Sequence, residues 1–215
     1  MNATQSIPVV LIHGLWMRTW WLGVLAWRLR RRGLVVHLWR YQSWRAHLDD
    51  SAAQLAAYCQ ELGVPAVHIV GHSLGGLVAV TMLAKHPSIQ CPRLVMIGSP
   101  YGGSCSAQAL MQWPGGGWCL GRSIREWLSQ TPPLLRSQTQ LGVISGVWGV
   151  GLGRLLAPNL SQPHDGVVSL EETRVVGAQD TFQHASSHMS LIFSAPVAQQ
   201  CANFLEHGVF APAVT

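Results

Sequence analysis

The residues best suited to chemistry in this chain are a serine, an aspartate and a histidine that lie far apart in sequence. Gly71-His72-Ser73-Leu74-Gly75 has the form G-x-S-x-G, and Gly76 extends it. The strand-like run "AVHIV" precedes it and the helix-like run "LVAVTMLA" follows. A strand entering and a helix leaving such a turn hold the serine hydroxyl exposed at the strand end. There the first N–H groups of the helix face developing negative charge. Glycines on both sides let the turn close without clashes. The plain alternative is a tight turn; the flanking strand and helix favour Ser73 as a nucleophile.

A serine hydroxyl is a poor nucleophile without a base, and ten histidines compete for that role. His13, His37, His68 and His72 sit in or beside strand-like runs, where a satisfied core or rim histidine is the ordinary reading. His47, His86 and His207 lie at helix ends, and His164 is next to the candidate acid. His188, in "HASSHMSLIFS", follows the last strand-like run and precedes the last helix, which delivers it to the sheet edge that carries Ser73. His184 is the second choice. The base in turn needs a carboxylate to fix its tautomer. Of four Asp and five Glu, Asp165 in "PHDGVVSLEE" sits in a loop at the right edge and gives the chain order Ser, Asp, His. Asp180, Glu171 and Glu172 are alternatives, and the ordinary role of Asp165-Gly166 is a turn. Two backbone donors complete the set: the N–H of Leu74, directly after Ser73, and that of Leu15, which the bend at Gly14 turns inward. His13 reads as a structural hydrogen-bonder.

The elements needed to position these groups are visible as alternating apolar patterns. "IPVVLIH" (Ile7 to His13), "LVVHLWRY" (Leu34 to Tyr41), "AVHIVGH" (Ala66 to His72) and "RLVMIGSP" (Arg93 to Pro100) read as strands covered on both faces. Helical runs separate them: one around Trp20 to Leu25 that Gly33 can end, "DDSAAQLAAYCQELG", and Leu74 to His86 stopped by Pro87. Strands alternating with helices at this spacing imply βαβ units and a doubly wound, mostly parallel sheet of about six strands. The rhythm breaks between Tyr101 and Gln140, a Gly-, Trp-, Ser- and Gln-rich stretch without a clear period. It resumes with strands at "LGVISG" (Leu141 to Gly146) and "ETRVVGA" (Glu172 to Ala178) and a closing helix from about Ala195 to His207. The expectation is one domain over residues 1–215, with residues 101–140 inserted as a cap after the fourth strand.

Composition narrows the function classes. With 48% apolar and 11% charged residues over 215 positions, the chain can bury a sizeable core and does not read as disordered. Its net charge of +5 is carried almost wholly by arginine, scattered except for "RLRRRG" at Arg28 to Gly33. No basic stripe with interleaved aromatics is present, which argues against nucleic acid as a partner. The arginine cluster reads as a solvated helix end, compatible with a transient contact with an anionic membrane surface. Five cysteines, odd in number and without a CxxC pair, favour free thiols over a disulfide frame or zinc site. The opening "MNATQSIPVVLIHG" has no basic leader region, so a cytoplasmic location is expected. The apolar run Leu141 to Gly153 is too short and Gly-rich to span a bilayer.

The strand-HG turn, GHSLGG, DGVVSL and SHMSL, in this order, resemble the α/β-hydrolase superfamily, most closely its small bacterial lipases and esterases. The resemblance covers residues 7–100 and 141–207. It implies Ser73, Asp165 and His188 as a catalytic triad and Leu15 and Leu74 as oxyanion donors, with no metal or cofactor. The first two strands of the full superfamily sheet have no counterpart, as in the minimal lipases. The resulting expectation is a serine hydrolase that cleaves a small acyl ester, lipid esters included, through an acyl-enzyme. A thioesterase or acyltransferase would use the same triad. A non-catalytic binding module is the reading from another class, and the intact Ser, Asp and His set argues against it. Trp16, His72, Trp113 and Trp118 are the candidate substrate contacts, the last two because the 101–140 stretch carries more large apolar groups than a solvated loop needs.

Overall fold

A computed structural model describes residues 7–135, 138–150 and 160–212. The first six residues, on which the leader reading partly rests, residues 136–137 of the insertion and residues 151–153 of the apolar run lie outside the described residues. The chain alternates strand and helix as expected. Strands β1 (Val9–Ile12), β2 (Val36–Trp39), β3 (His68–His72), β4 (Arg93–Ile97), β5 (Gln140–Gly146) and β6 (Asp180–His184) form a parallel sheet in the order β2-β1-β3-β4-β5-β6. Their apolar side chains leave both faces in need of cover. Val9, Val10, Leu11 and Ile12 are fully buried although consecutive side chains point to opposite faces.

Helices supply that cover, and the chain changes direction where they switch sides. Helix α1 (Gly23–Arg30) packs Leu25, Ala26 and Leu29 against one face, together with the closing helix α7 (Ala195–His207). Helices α2 (Leu48–Glu61) and α3 (Leu74–Lys85) cover the other. α3 is buried almost all round, as expected of a helix packed between the sheet, α2 and the inserted segment. Because β2 lies on one side of β1 and β3 on the other, the strand order reverses between β1 and β3. Such a crevice at the carboxyl ends of the strands is where open α/β sheets place ligands. Gly14 follows β1 and Ser73 follows β3, so both stand on this crevice.

The structure revises the reading of two segments. The described residues of the 101–140 stretch form three short helices, α4 (Cys105–Met111), α5 (Gly116–Cys119) and α6 (Gly121–Ser129). α6 is strongly amphipathic, with Ile124 and Trp127 buried. The run Glu172 to Ala178, expected as a strand, is a series of turns, and the sixth strand lies just beyond it at Asp180–His184. That strand is an edge strand whose residues are partly or largely exposed, so it lacks the apolar signature of its neighbours. No helix among the described residues is long and apolar enough to cross a membrane.

Candidate active site

Ser73 sits at the sharp turn from β3 into α3. Its φ of 52° and ψ of −122° are outside the comfortable regions for a residue with a side chain. The surroundings hold it there. Its N–H donates to the carbonyl of Ile97 on β4 at 2.8 Å. Gly75 lets α3 start against β1, since a Cβ at that position would lie 2.4 Å from the Ile12 carbonyl oxygen. A conformation of this kind costs about 1–3 kcal/mol and survives only where packing enforces it. Leu74 opens α3, and the first turn of a helix has N–H groups without intrahelical partners.

His188 and Asp165 arrive from two loops at the same strand ends, Asp165 between β5 and β6 and His188 between β6 and α7. His188 Nδ1 and Asp165 Oδ2 are 2.6 Å apart, and both side chains are buried. Asp165 Oδ1 accepts the N–H groups of Val167 at 2.9 Å and Val168 at 2.7 Å. The carboxylate is therefore fixed by its own loop before it meets the histidine. The backbone adds a further tie, from His188 N–H to the Asp165 carbonyl at 2.8 Å. Gly98, at φ +57°, makes room for the pair, because a Cβ there would stand 3.2 Å from both Asp165 Oδ2 and His188 Nδ1. Gly146 does the same from β5, where a Cβ would lie 2.7 Å from Asp165 Cβ. Neither glycine is singled out by its sequence context, since their need arises only from what crosses above them.

The other sequence candidates fall elsewhere. His184 ends β6 and its Nε2 hydrogen-bonds the Ser194 hydroxyl at 2.9 Å. Asp180 Oδ2 accepts the Phe210 N–H at 2.8 Å. Glu172 is buried and holds the start of α4: one oxygen accepts the Cys105 N–H and the other the Ser169 N–H at 2.7 Å. Glu171 is exposed in the turns before β6.

Between β1 and the serine turn the chain makes a tight bend at Gly14. A Cβ on Gly14 would lie 3.1 Å from the Ser73 Cβ, so the Gly14–Leu15 backbone passes directly beside the serine. Trp16, the next residue, has φ +59°; besides Ser73 it has the only positive φ among the described non-glycine residues. The buried His13 approaches its neighbour's carbonyl, Gly14 O, through Nδ1 at 2.9 Å, and burial lowers its pKa. The Tyr41 hydroxyl donates to the His13 carbonyl at 2.9 Å. His13 thus packs and braces the bend.

These groups share one cleft of about 600 Å³. Gly14, Leu15, Trp16, His72, Ser73 and His188 form its floor and one side. Leu110, Trp113, Leu120 and Ile124 of the inserted segment close over it, and Val167 and Val168 of the aspartate loop complete a mostly apolar wall. Of the candidate substrate contacts, Trp16, His72 and Trp113 line the cleft and Trp118 does not. Its ring stands edge-on to Trp44 at 4.5 Å on the outer side of the cap, and its carbonyl accepts the Trp44 indole N–H at 2.7 Å. A serine at a helix start, a histidine fixed by a buried carboxylate and an apolar cleft around both are the parts that acyl transfer to serine uses.

The family model described as the alpha/beta hydrolase family matches residues 9–210. The chain belongs to the alpha/beta hydrolase family. Solved structures agree with the fold. A Bacillus licheniformis lipase, BlEst2 in mature form, superposes with a TM-score of 0.75 at 19% identity, over 94% of this chain and 92% of that one. The lin2722 gene product of Listeria innocua gives a TM-score of 0.63 at 18% identity over 94% and 95%. The metagenomic carboxyl esterase MGS0156 gives 0.63 at 18% identity, over 88% of this hydrolase and 66% of the longer chain. No curated protein matches in sequence.

Proposed function

We propose that this hydrolase cleaves carboxylic esters through an acyl-enzyme, with Ser73 as nucleophile, His188 as base and Asp165 as its orienting acid. The observation that carries the reading is the 2.6 Å contact between His188 Nδ1 and Asp165 Oδ2 on the cleft that Ser73 lines. With Nδ1 committed to the carboxylate, Nε2 is the nitrogen left to take the serine proton. The Ser73 oxygen attacks the ester carbonyl carbon, and the negative charge that develops on the carbonyl oxygen meets the N–H groups of Leu15 and Leu74. Collapse of that adduct breaks the ester bond, and His188 returns the proton to the departing alcohol oxygen. Water, activated by the same histidine, then releases the acid. The apolar wall from the cap suits the acyl chain. The names of the structural neighbours, a lipase and a carboxyl esterase, point to the same bond type.

A fluorophosphonate probe should label the protein at Ser73, and p-nitrophenyl esters should be hydrolysed. Ser73→Ala should lose labelling and about 10⁴-fold or more in kcat/KM. A labelled peptide that does not contain Ser73, or hydrolysis that survives the substitution, would overturn the assignment.

A further inference from the structure

A second cleft, of about 530 Å³, opens on the far side of Trp16 from Ser73. It lies at the carboxyl ends of β1 and β2, and its lining differs in character from the first. Arg18, Arg40 and Arg45 line it, together with Thr19, Gln42 and Ser43. No carboxylate is among its lining residues, and among the described residues none of the three arginines is in an ion pair. Arg45 lies over the Trp44 ring at 5.5 Å. Ser43 is buried. Three guanidinium groups on one concavity without a counter-charge raise its potential, and their planar forks match carboxylate and phosphate oxygens. Trp16 and Met17 line both clefts, so the two are neighbours with these side chains between them. The indole of Trp16 is pinned across that boundary by its N–H bond to the Cys119 carbonyl at 2.9 Å.

We propose that the arginine cleft binds an anionic group, carboxylate or phosphate, carried on the alcohol part of the ester. The inference rests on the ester-cleaving reading of Ser73. An ester whose carbonyl sits beside Gly14 and Ser73 has its acyl chain along the apolar cap wall. Its other arm then runs past Trp16, into the only strongly basic lining of the two clefts. The preferred substrate is amphiphilic: apolar on the acyl side, anionic on the leaving side.

The test compares two chromogenic esters with the same chain. p-Nitrophenyl octanoate has a neutral leaving phenol, and 3-octanoyloxy-4-nitrobenzoate has one that carries a carboxylate. The ratio of kcat/KM for the charged over the neutral ester should fall about tenfold in the triple variant Arg18→Gln, Arg40→Gln, Arg45→Gln, as expected for the loss of partly solvated charge contacts. Arg32→Gln, outside the cleft, should leave that ratio at the level of the intact protein. A ratio that the triple variant does not move, or that Arg32→Gln lowers equally, overturns the inference. A second measurement is independent of turnover: calorimetric titration of Ser73→Ala with octyl phosphate and with inorganic phosphate. Octyl phosphate should bind more tightly than inorganic phosphate and should lose affinity when the three arginines are replaced. Equal affinities would mean a site for a free anion, and the inference would fall. If neither ester is turned over but octyl phosphate binding still depends on the arginines, the ester-cleaving reading fails and the anion site stands.

Discussion

The side chain of His72 is bonded to the backbone of His188: its Nε2 lies 3.1 Å from the His188 carbonyl oxygen and donates to it. The two rings lie 4.9 Å apart. His72 is wholly enclosed, and burial, reinforced by the neighbouring His188, pushes its pKa down to about 3. It therefore stays neutral, and as a neutral donor it holds the loop that carries His188. His72→Leu should leave that carbonyl buried without its partner, at a cost of about 1–3 kcal/mol. Urea denaturation should show the loss, and kcat on p-nitrophenyl butyrate should fall with it. Unchanged stability and kcat would remove His72 from the support of the site.

Acid should weaken the fold in a range set by buried histidines. In the unfolded chain these groups take up protons near 6.5. In the folded protein burial holds His72 neutral down to about 3 and His68 down to about 4. Between those limits the unfolded state binds more protons, so stability rises with pH. Each of the two groups contributes about 1.4 kcal/mol per pH unit there. The contribution is complete above about 6.5 and is lost progressively as pH falls toward the folded values. The urea midpoint should be clearly lower at pH 5 than at pH 7.5, and equal midpoints would contradict the argument.

Ser73 should reveal its backbone strain when the side chain is removed altogether. Ser73→Ala keeps the Cβ and hence the strained conformation, while Ser73→Gly relieves it. The glycine variant should be more stable than the alanine variant by about 1 kcal/mol. Both should be inactive. If thermal denaturation gives the two variants the same stability, the turn is not strained.

Asp165 and Asp180 should separate cleanly. Asp165→Asn removes the carboxylate that faces His188 Nδ1 and should lower kcat by about 10⁴-fold. Among the described residues the Asp180 carboxylate accepts the Phe210 and Thr181 N–H groups, so Asp180→Asn should retain most activity. Steady-state rates on one ester decide the matter, and an inactive Asp180→Asn with an active Asp165→Asn would reverse the assignment.

Trp113 and Trp118 should also behave differently, although both lie in the same insertion. Trp113 lines the Ser73 cleft, so Trp113→Ala should shift the preference among p-nitrophenyl esters of different chain length. The shift should be at most about 0.8 kcal/mol for each methylene group of the acyl chain that the indole covers. Trp118 is 70% exposed and rests on Trp44, so Trp118→Ala should leave the chain-length profile as it was. A profile altered by Trp118→Ala alone would place the acyl chain on the outer side of the cap.

The parts of the fold that show in the sequence are those with a local cause. The buried strands β1 to β4 are continuous apolar runs, and the serine turn is marked by glycines whose missing side chains α3 requires. Asp165 and His188 emerge from chain order and loop position. The sixth strand does not show, because "DTFQH" pairs only through its neighbour β5, while the β-branched run before it turns away. The cap helices are hidden for a related reason. α4, α5 and α6 have four to nine residues each, too few for a period to stand out. Gly98 and Gly146 are needed only because Asp165 and His188 pass over them. The bond from His72 to His188 joins residues 116 positions apart.

The start of the cap is sewn to the loop of Asp165. The Gly102 N–H donates to the Glu172 carbonyl at 2.8 Å, the Cys105 N–H to the Glu172 carboxylate, and the Ser106 hydroxyl to the Val167 carbonyl at 2.6 Å. Val167 is also one of the two residues whose N–H groups hold the Asp165 carboxylate. Cap and Asp165 loop are thus a single heritable module. A cap grafted from a relative without its partner loop would arrive with Glu172 and the Val167 carbonyl facing strangers, and the Asp165 carboxylate would lose its footing along with the cleft. Diversification of substrate range in this chain is therefore easiest at cap positions away from that seam, such as Trp113, and recombination at the ends of the insertion carries the higher cost.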